Sequence, residues 1–334
     1  MLMEAALNLT LKYVPHALVK AMVGEFVPIF MLHRYVNLQG EPDNDKIQQL
    51  ETYLHYLRKN QYTVLSLDTL LALVAKGETL PPKAVVFTID DGFEDHTEIA
   101  GKTFSRYDYP VTLFVITDFI DGKLWPWDDH VKHVLLNTQR ESFKVVMPNG
   151  GEFRFDIKQG PRKEQSHAFQ DLLKSQNQTD IYPWLHSLYE QGGMEFCKQA
   201  PQGYKPTSWG NLSKFVAAGH AVAAHTKSHR ILSQLSDEEA QLEIFDSVRV
   251  LKEKVPEASN CFAYPTGRQQ DFLPRDEKLV KQAGAVGAVS TVAATATSAY
   301  PITSLPRYAL PQKMTDFLQY LSFVEHAKNR LREK

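Results

Sequence analysis

The chain has 334 residues, 43% of them hydrophobic and 23% charged, with 17 Gly and 18 Pro. Those proportions exclude collagen-like, disordered and coiled-coil classes, and the length suffices for one large domain or two ordinary ones. Thirty-seven Lys and Arg against thirty-nine Asp and Glu leave a formal charge of −2, without the basic excess of a phosphate-neutralising surface, so no nucleic acid partner is expected.

Two cysteines, Cys197 and Cys261, lie in no metal-binding spacing and fit a reducing compartment. Apolar patches over residues 5–32 are broken by Lys12, Pro15, His16, Lys20 and Glu25, so no run nears the roughly 18 residues of a spanning helix. Met1 to Leu11 also lacks the basic start and apolar centre of a secretory signal. The expectation is a cytoplasmic protein with no transmembrane segment and an N-terminal helical segment over 1–26. Leu11, Val14, Leu18 and Met22 either pack that helix on the domain or make it an interfacial helix in peripheral contact with a membrane.

From residue 27 to 334 short apolar runs alternate with amphipathic stretches, without internal repeats. Val27 to Leu32, Ala84 to Ile89, Val111 to Ile116, Ala221 to Ala224, Cys261 to Tyr264 and Ala285 to Val289 are too apolar for strands with one wet face, and read as buried strands. Asn44 to Asn60, Thr97 to Arg106, Trp209 to Ala218 and Asp237 to Lys254 have helical spacing, the last opening with Ser236 and Glu239 as a capping box. This order predicts an α/β fold with a parallel sheet and helices outside. Residues from about 121 to 206 break the rhythm. A hairpin, Phe143 to Met147 with Glu152 to Phe155 across Pro-Asn-Gly-Gly, precedes helical segments around Ala168 to Lys174 and Trp184 to Tyr189, which reads as an inserted subdomain.

Three strand ends carry chemistry. Asp90-Asp91-Gly92 follows the second strong strand, where α/β barrels place catalytic carboxylates, and the alternating backbone lets the two acids serve different tasks. His225 and His229 follow the Ala221 to Ala224 strand at i and i+4, a spacing that brings two imidazoles to one face of a helical turn. Two His with one carboxylate make a catalytic zinc set with a place left for water. Phe262-Ala263-Tyr264-Pro265-Thr266-Gly267-Arg268 ends a third strand, and its Pro and Gly set a loop able to aim the Thr266 N–H at a developing oxyanion.

In this order, after Val27-Pro28-Ile29-Phe30-Met31-Leu32-His33, the three segments resemble the polysaccharide deacetylase family, the NodB-type carbohydrate esterases. The resemblance runs to Leu305-Pro306-Arg307 and omits the N-terminal twenty or so residues and the insertion. It implies an incomplete (β/α) barrel, a divalent metal, zinc first with cobalt, nickel or iron as alternatives, and hydrolysis of N- or O-acetyl groups on a sugar or polysaccharide. Position by position, Asp91, His225 and His229 match the metal ligands and Asp90 the general base.

The chain departs from that pattern in two places. Ala263 stands where the third motif carries arginine, and the late Leu-x-His acid motif is missing. The VPIFMLH opening is similar to the poly-N-acetylglucosamine deacetylase branch, whose early histidine makes His33 the candidate acid, a rim residue being the other reading. Arg307, ahead of Arg268, is the candidate partner of Asp90. Tyr264, Trp125, Trp127 and Phe93 are candidate sugar-stacking rings, with packing as the alternative for Trp125 and Trp127. Two competing functions remain: a glycosidase using Asp90 and Asp91, which needs carboxyls facing each other about 5–10 Å apart, and a catalytically impaired carbohydrate-binding protein on the same barrel. The sequence does not indicate an oligomeric state.

Overall fold

Eight parallel strands, none longer than six residues, curl around a shared interior. The computed structural model describes residues 24–322 and 324–326, with Glu4, Leu7, Leu11 and Leu18. These four are helical, while Val14, Met22 and most of segment 1–26 lie outside the described residues. The strands are β1 (Ile29–Leu32), β2 (Thr63–Leu65), β3 (Ala84–Ile89), β4 (Thr112–Val115), the antiparallel pair β5 (Ser142–Val146) and β6 (Glu152–Asp156), then β7 (Ala221–Ala224), β8 (Cys261–Ala263), β9 (Gly287–Val289) and β10 (Tyr308–Ala309). The main sheet runs β10-β1-β3-β4-β7-β8-β9, with β2 also paired to β3. Its seven-strand path curls through 242° into a half-barrel. Leu305 bridges Val289 in parallel, carrying the returning chain alongside β9 just before it enters β10.

Side-chain alternation sorts the strand residues into two clusters. Phe30, Leu32, Val85, Phe87, Ile89, Leu113, Val115, Val222 and Ala224 pack with the surrounding helices, including Leu50, Leu54 and Leu57 of helix Asn44–Lys59 and Ile244 of helix Asp237–Lys254. Ile29, Val86, Phe114, Ala223, Ala263 and Val289 form the second cluster, with Leu67, Leu70 and Leu71 from helix Leu67–Lys76. It fills the half-barrel. Since side chains alternate with period two, the inward parity of β1, β3 and β7 extended beyond their ends reaches His33, Asp90 and His225.

The sequence reading missed β2 and β10, which are only three and two residues long, too short to show a period. Thr97 to Arg106 is also not one α-helix: a π-helical turn, His96–Gly101, leads into Lys102–Ser105. The capping box at Ser236 and Glu239 forms as read.

Between β4 and β7, the β5–β6 hairpin packs with helices Trp127–Asn137, Arg162–Leu173 and Ile181–Gln191 around a separate apolar cluster. Trp127, Val131, Phe155, Phe169, Leu185 and Leu188 are fully buried within it. Ile231, next to the His225–His229 segment, joins the same cluster. The inserted segment therefore packs directly behind one of the strand-end loops.

Candidate active site

Asp90 and Asp91 leave β3 in different roles. Arg307, itself 1% exposed, donates from Nη1 to Asp90 Oδ1 at 2.8 Å and from Nη2 to Oδ2 at 2.7 Å. Its Nη1 also reaches Thr88 Oγ1 and its Nε the Ser290 carbonyl, both at 2.9 Å. The guanidinium plane is thus fixed by Thr88 within β3 and by residues directly after β3 and β9. Burial opposes ionisation of Asp90, but Arg307 beside it holds the carboxyl at about 2. Arg268, the other candidate partner, is committed elsewhere, with Nε and Nη2 donating to Asp271 at 2.9 and 3.0 Å.

Asp91 turns away with φ 86° and meets the two histidines. Its Oδ1 lies 3.6 Å from His225 Nε2 and 3.5 Å from His229 Nε2, and one donor atom from each of the three falls within 4.8 Å of the others. Gly92 permits this approach: at φ 94°, a Cβ would sit 2.9 Å from Ile120 Cδ1 and 3.0 Å from Val115 Cγ1.

The two imidazoles do not meet on a helical turn, as their spacing suggested. Residues 225–230 are an irregular loop, in which Thr226 and His229 take positive φ, 63° and 60°. Loop contacts replace the helix. The buried Glu243 carboxylate accepts the Lys227 and Ser228 N–H groups at 3.1 and 2.8 Å, and Thr226 Oγ1 accepts the His229 N–H at 3.1 Å. Asp91, Thr226, His229 and Thr266 account for four of the seven non-glycine residues with positive φ among the described residues. Such strain persists where surrounding contacts over-determine it, commonly at functional sites.

The Nδ1 atoms of the two histidines face outward partners. His225 Nδ1 lies 2.7 Å from the Ala263 carbonyl, so it carries the proton and leaves Nε2 with a lone pair toward Asp91. His229 Nδ1 lies 3.4 Å from Asp128 Oδ1. Burial drives His225 down to about 4, while His229, although buried, is raised to about 9 by Asp128 and Asp91. Burial and the charges of Asp90, Asp128 and Asp129 push Asp91 up to about 7 against the pull of His229. This cluster of half-buried carboxylates, with two oriented imidazoles, fits a divalent cation held by Asp91, His225 and His229.

His33 follows β1 and is exposed at the mouth of the barrel. It lines a polar cavity of about 460 Å³ with Arg34, Asp43, Lys46, Gln49 and Gln312. The protein packed around His33 and the Arg307 charge lower its proton affinity, against the pull of Asp90. Arg34 anchors this loop, donating to Asp95 at 2.9 Å and to the Gly203 carbonyl at 2.6 Å. Thr266 follows β8 at φ 51°, with its carbonyl accepting the Thr291 hydroxyl.

The four aromatic candidates are corrected. Tyr264, Trp127, Trp125 and Phe93 are 0%, 0%, 1% and 2% exposed. Tyr264 has the outward parity of β8, stacks on Phe272 at 4.1 Å and donates to the Thr303 carbonyl. Trp125 and Trp127 donate to the carbonyls of Cys197 and His229, and Phe93 lies beneath Arg34, 3.7 Å from guanidinium carbon to ring centre. These rings secure loops and core, leaving no open face for a sugar. Asp128 was the missed residue; its place beside two tryptophans in Trp125-Pro126-Trp127-Asp128 was the available signal.

A half-barrel with a carboxylate and two histidines at its strand ends is the architecture of the NodB fold. The polysaccharide deacetylase family model matches residues 158–287. The matched segment includes His225, His229 and Thr266 and excludes Asp90 and Asp91. Among solved structures, the chain is similar to the Streptococcus pyogenes deacetylase PplD in complex with acetate, with 16% identity, 89% of this chain and 99% of that chain covered, and a TM-score of 0.59. It is also similar to IcaB from Ammonifex degensii, at 14% identity, 89% and 97% coverage and a TM-score of 0.55. A de-N-acetylase from Aggregatibacter actinomycetemcomitans matches at 11% identity, 87% and 97% coverage and a TM-score of 0.53. A comparison with curated protein sequences finds no match. Among the described residues, no helix is long and apolar enough to cross a membrane.

Proposed function

We propose that the chain hydrolyses an acetyl group from a carbohydrate, most directly an N-acetyl group, with a divalent metal held by Asp91, His225 and His229. The observation that carries this reading is the convergence of those three donor atoms within 4.8 Å, beside a carboxylate oriented by two bonds from one arginine. A divalent cation held there, zinc in the first instance, would polarise the acetyl carbonyl and acidify a water.

The chain's own groups carry the remaining chemistry. Asp90, held ionised by Arg307, accepts the proton of the attacking water. The tetrahedral oxyanion takes a hydrogen bond from the Thr266 N–H. As the C–N bond breaks, His33 in its protonated form gives a proton to the leaving amine, and acetate and the free amine are the products. The polar lining of the His33 cavity suits a hydroxyl-rich substrate. The acetate complex of the similar Streptococcus pyogenes deacetylase is consistent with a site that releases that product. The glycosidase reading loses support: Arg307 engages Asp90 while Asp91 faces two imidazoles, so the carboxylates do not act as a facing pair.

The test is acetate release from a panel of N- and O-acetylated sugars by protein stripped with chelator and reloaded with zinc or cobalt. Activity should disappear on stripping and return with metal. Asp90→Asn should retain the metal and lose roughly 10²–10⁴-fold in rate, the usual contribution of a general base. Near-normal turnover in Asp90→Asn would remove its role, and metal binding without acetate release from any sugar would remove the proposed activity.

A further inference from the structure

We infer that Asp128, contributed by the inserted segment, is a positioning residue for the metal ligand His229; the inference rests on the metal-dependent reading above. His229 Nδ1 and Asp128 Oδ1 are both buried, and neither makes a hydrogen bond within the usual distance. They stand 3.4 Å from each other. A buried imidazole N–H and a buried carboxylate oxygen each require a partner, and here the two face each other. With the proton on Nδ1 directed at Asp128, the His229 lone pair is on Nε2, the atom that faces Asp91 at 3.5 Å.

The local sequence accounts for the placement of Asp128. Pro126, at φ −53°, leads into helix Trp127–Asn137. The Trp127 indole donates to the His229 carbonyl at 3.0 Å, fastening the start of that helix to the backbone of the residue whose ring Asp128 approaches. From the other side, Gln170 Nε2 donates to the Asp128 carbonyl at 2.6 Å. The inserted segment thereby supports the ligand set without providing a ligand. His225 obtains the equivalent orientation from a main-chain carbonyl, so only the His229 arrangement depends on an exchangeable side chain. Outer partners of metal-bound histidines select the ring tautomer and raise its basicity, and losing one costs roughly 10–100-fold in metal affinity.

The test is zinc affinity, measured by competition with a chromophoric chelator, on the full chain and on Asp128→Ala, Asp128→Asn and Asp129→Asn, with circular dichroism to monitor folding. Asp128→Ala should bind zinc roughly 10–100-fold more weakly. Asp128→Asn should recover part of the loss, because its amide oxygen still accepts the Nδ1–H, and should serve alone if the alanine variant does not fold. Asp129→Asn removes a neighbouring charge without this contact and should have a smaller effect. Full affinity in both Asp128 variants, or equal losses at positions 128 and 129, would overturn the inference. If the unaltered chain releases acetate with zinc and Asp128→Ala binds zinc equally well, the proposed function stands and only the role of Asp128 falls. If the unaltered chain binds no zinc, both fall.

Discussion

Arg307 and Asp90, separated by 217 positions in the chain, form a two-pronged ion pair inside the barrel with both bonds under 3 Å. The guanidinium is fully enclosed, so its desolvation is offset only while the carboxylate and its other acceptors remain in place. Breaking such a pair leaves an unpaired buried charge. Arg307→Met should therefore lower unfolding free energy by about 3 kcal/mol, the lower end for buried pairs because Asp90 retains some exposure. The double variant with Asp90→Asn should recover part of that loss. Urea unfolding of the two single variants and the double variant measures the coupling, and simple additivity would contradict it.

His33 has a different test because its proposed task belongs to the leaving group. His33→Gln should slow hydrolysis of an N-acetyl sugar by roughly 10²-fold, at the low end for acid catalysis. It should scarcely affect an acetyl ester of p-nitrophenol, whose leaving group departs without a proton. Metal content should not change. Equal loss on both substrates would assign His33 a structural task at the rim.

The direction of the His33 shift supplies a pH test. Its proton affinity lies below the ordinary imidazole value of 6.5, so the proton-donating form is lost as pH rises through a value lower than 6.5. The kcat/KM profile of the unaltered protein should fall on that alkaline side, and the fall should be absent in His33→Gln.

Tyr264 separates packing from recognition. Tyr264→Phe removes the hydroxyl bond to the Thr303 carbonyl and should lower stability by about 1 kcal/mol, with kcat and KM unchanged. A raised KM at unchanged stability would restore the stacking role that burial rules out.

His130 predicts acid sensitivity away from the ligand set. Burial pushes it from 6.5 to about 3, with Nδ1 2.9 Å from the Tyr189 hydroxyl. Above pH 6.5 both folded and unfolded chains hold it neutral. Between about 6.5 and 3 only the unfolded chain takes the proton, so this group makes stability fall as pH falls. Lowering pH from 6.5 to 4.5 should cost about 2 kcal/mol through this residue. Urea midpoints for His130→Gln should show a correspondingly shallower decline over that window.

Asp90, Asp91, His225 and His229 were legible in the chain because a buried parallel strand is a short apolar run, and the polar residues directly following it lie at one rim of a barrel. The same alternation that puts Asp90 and His225 on the inner side puts Tyr264 on the outer side, although that distinction needs to be known strand by strand. The helical turn expected for His225 and His229 failed because i,i+4 spacing carries no information about the Glu243 carboxylate that bends the loop from another helix.

The linear order of residues determined which carboxylates, imidazoles and guanidinium groups stand at the strand ends, and so which could take part in the proposed chemistry. Folding decided which of them meet: Arg307 rather than Arg268 at Asp90, Asp128 at His229, and Tyr264 against Phe272 rather than a sugar. Sequence local to a strand or turn sets composition and parity, whereas these contacts arise where the chain returns after distant excursions and buried charges and donors find the partners that burial requires.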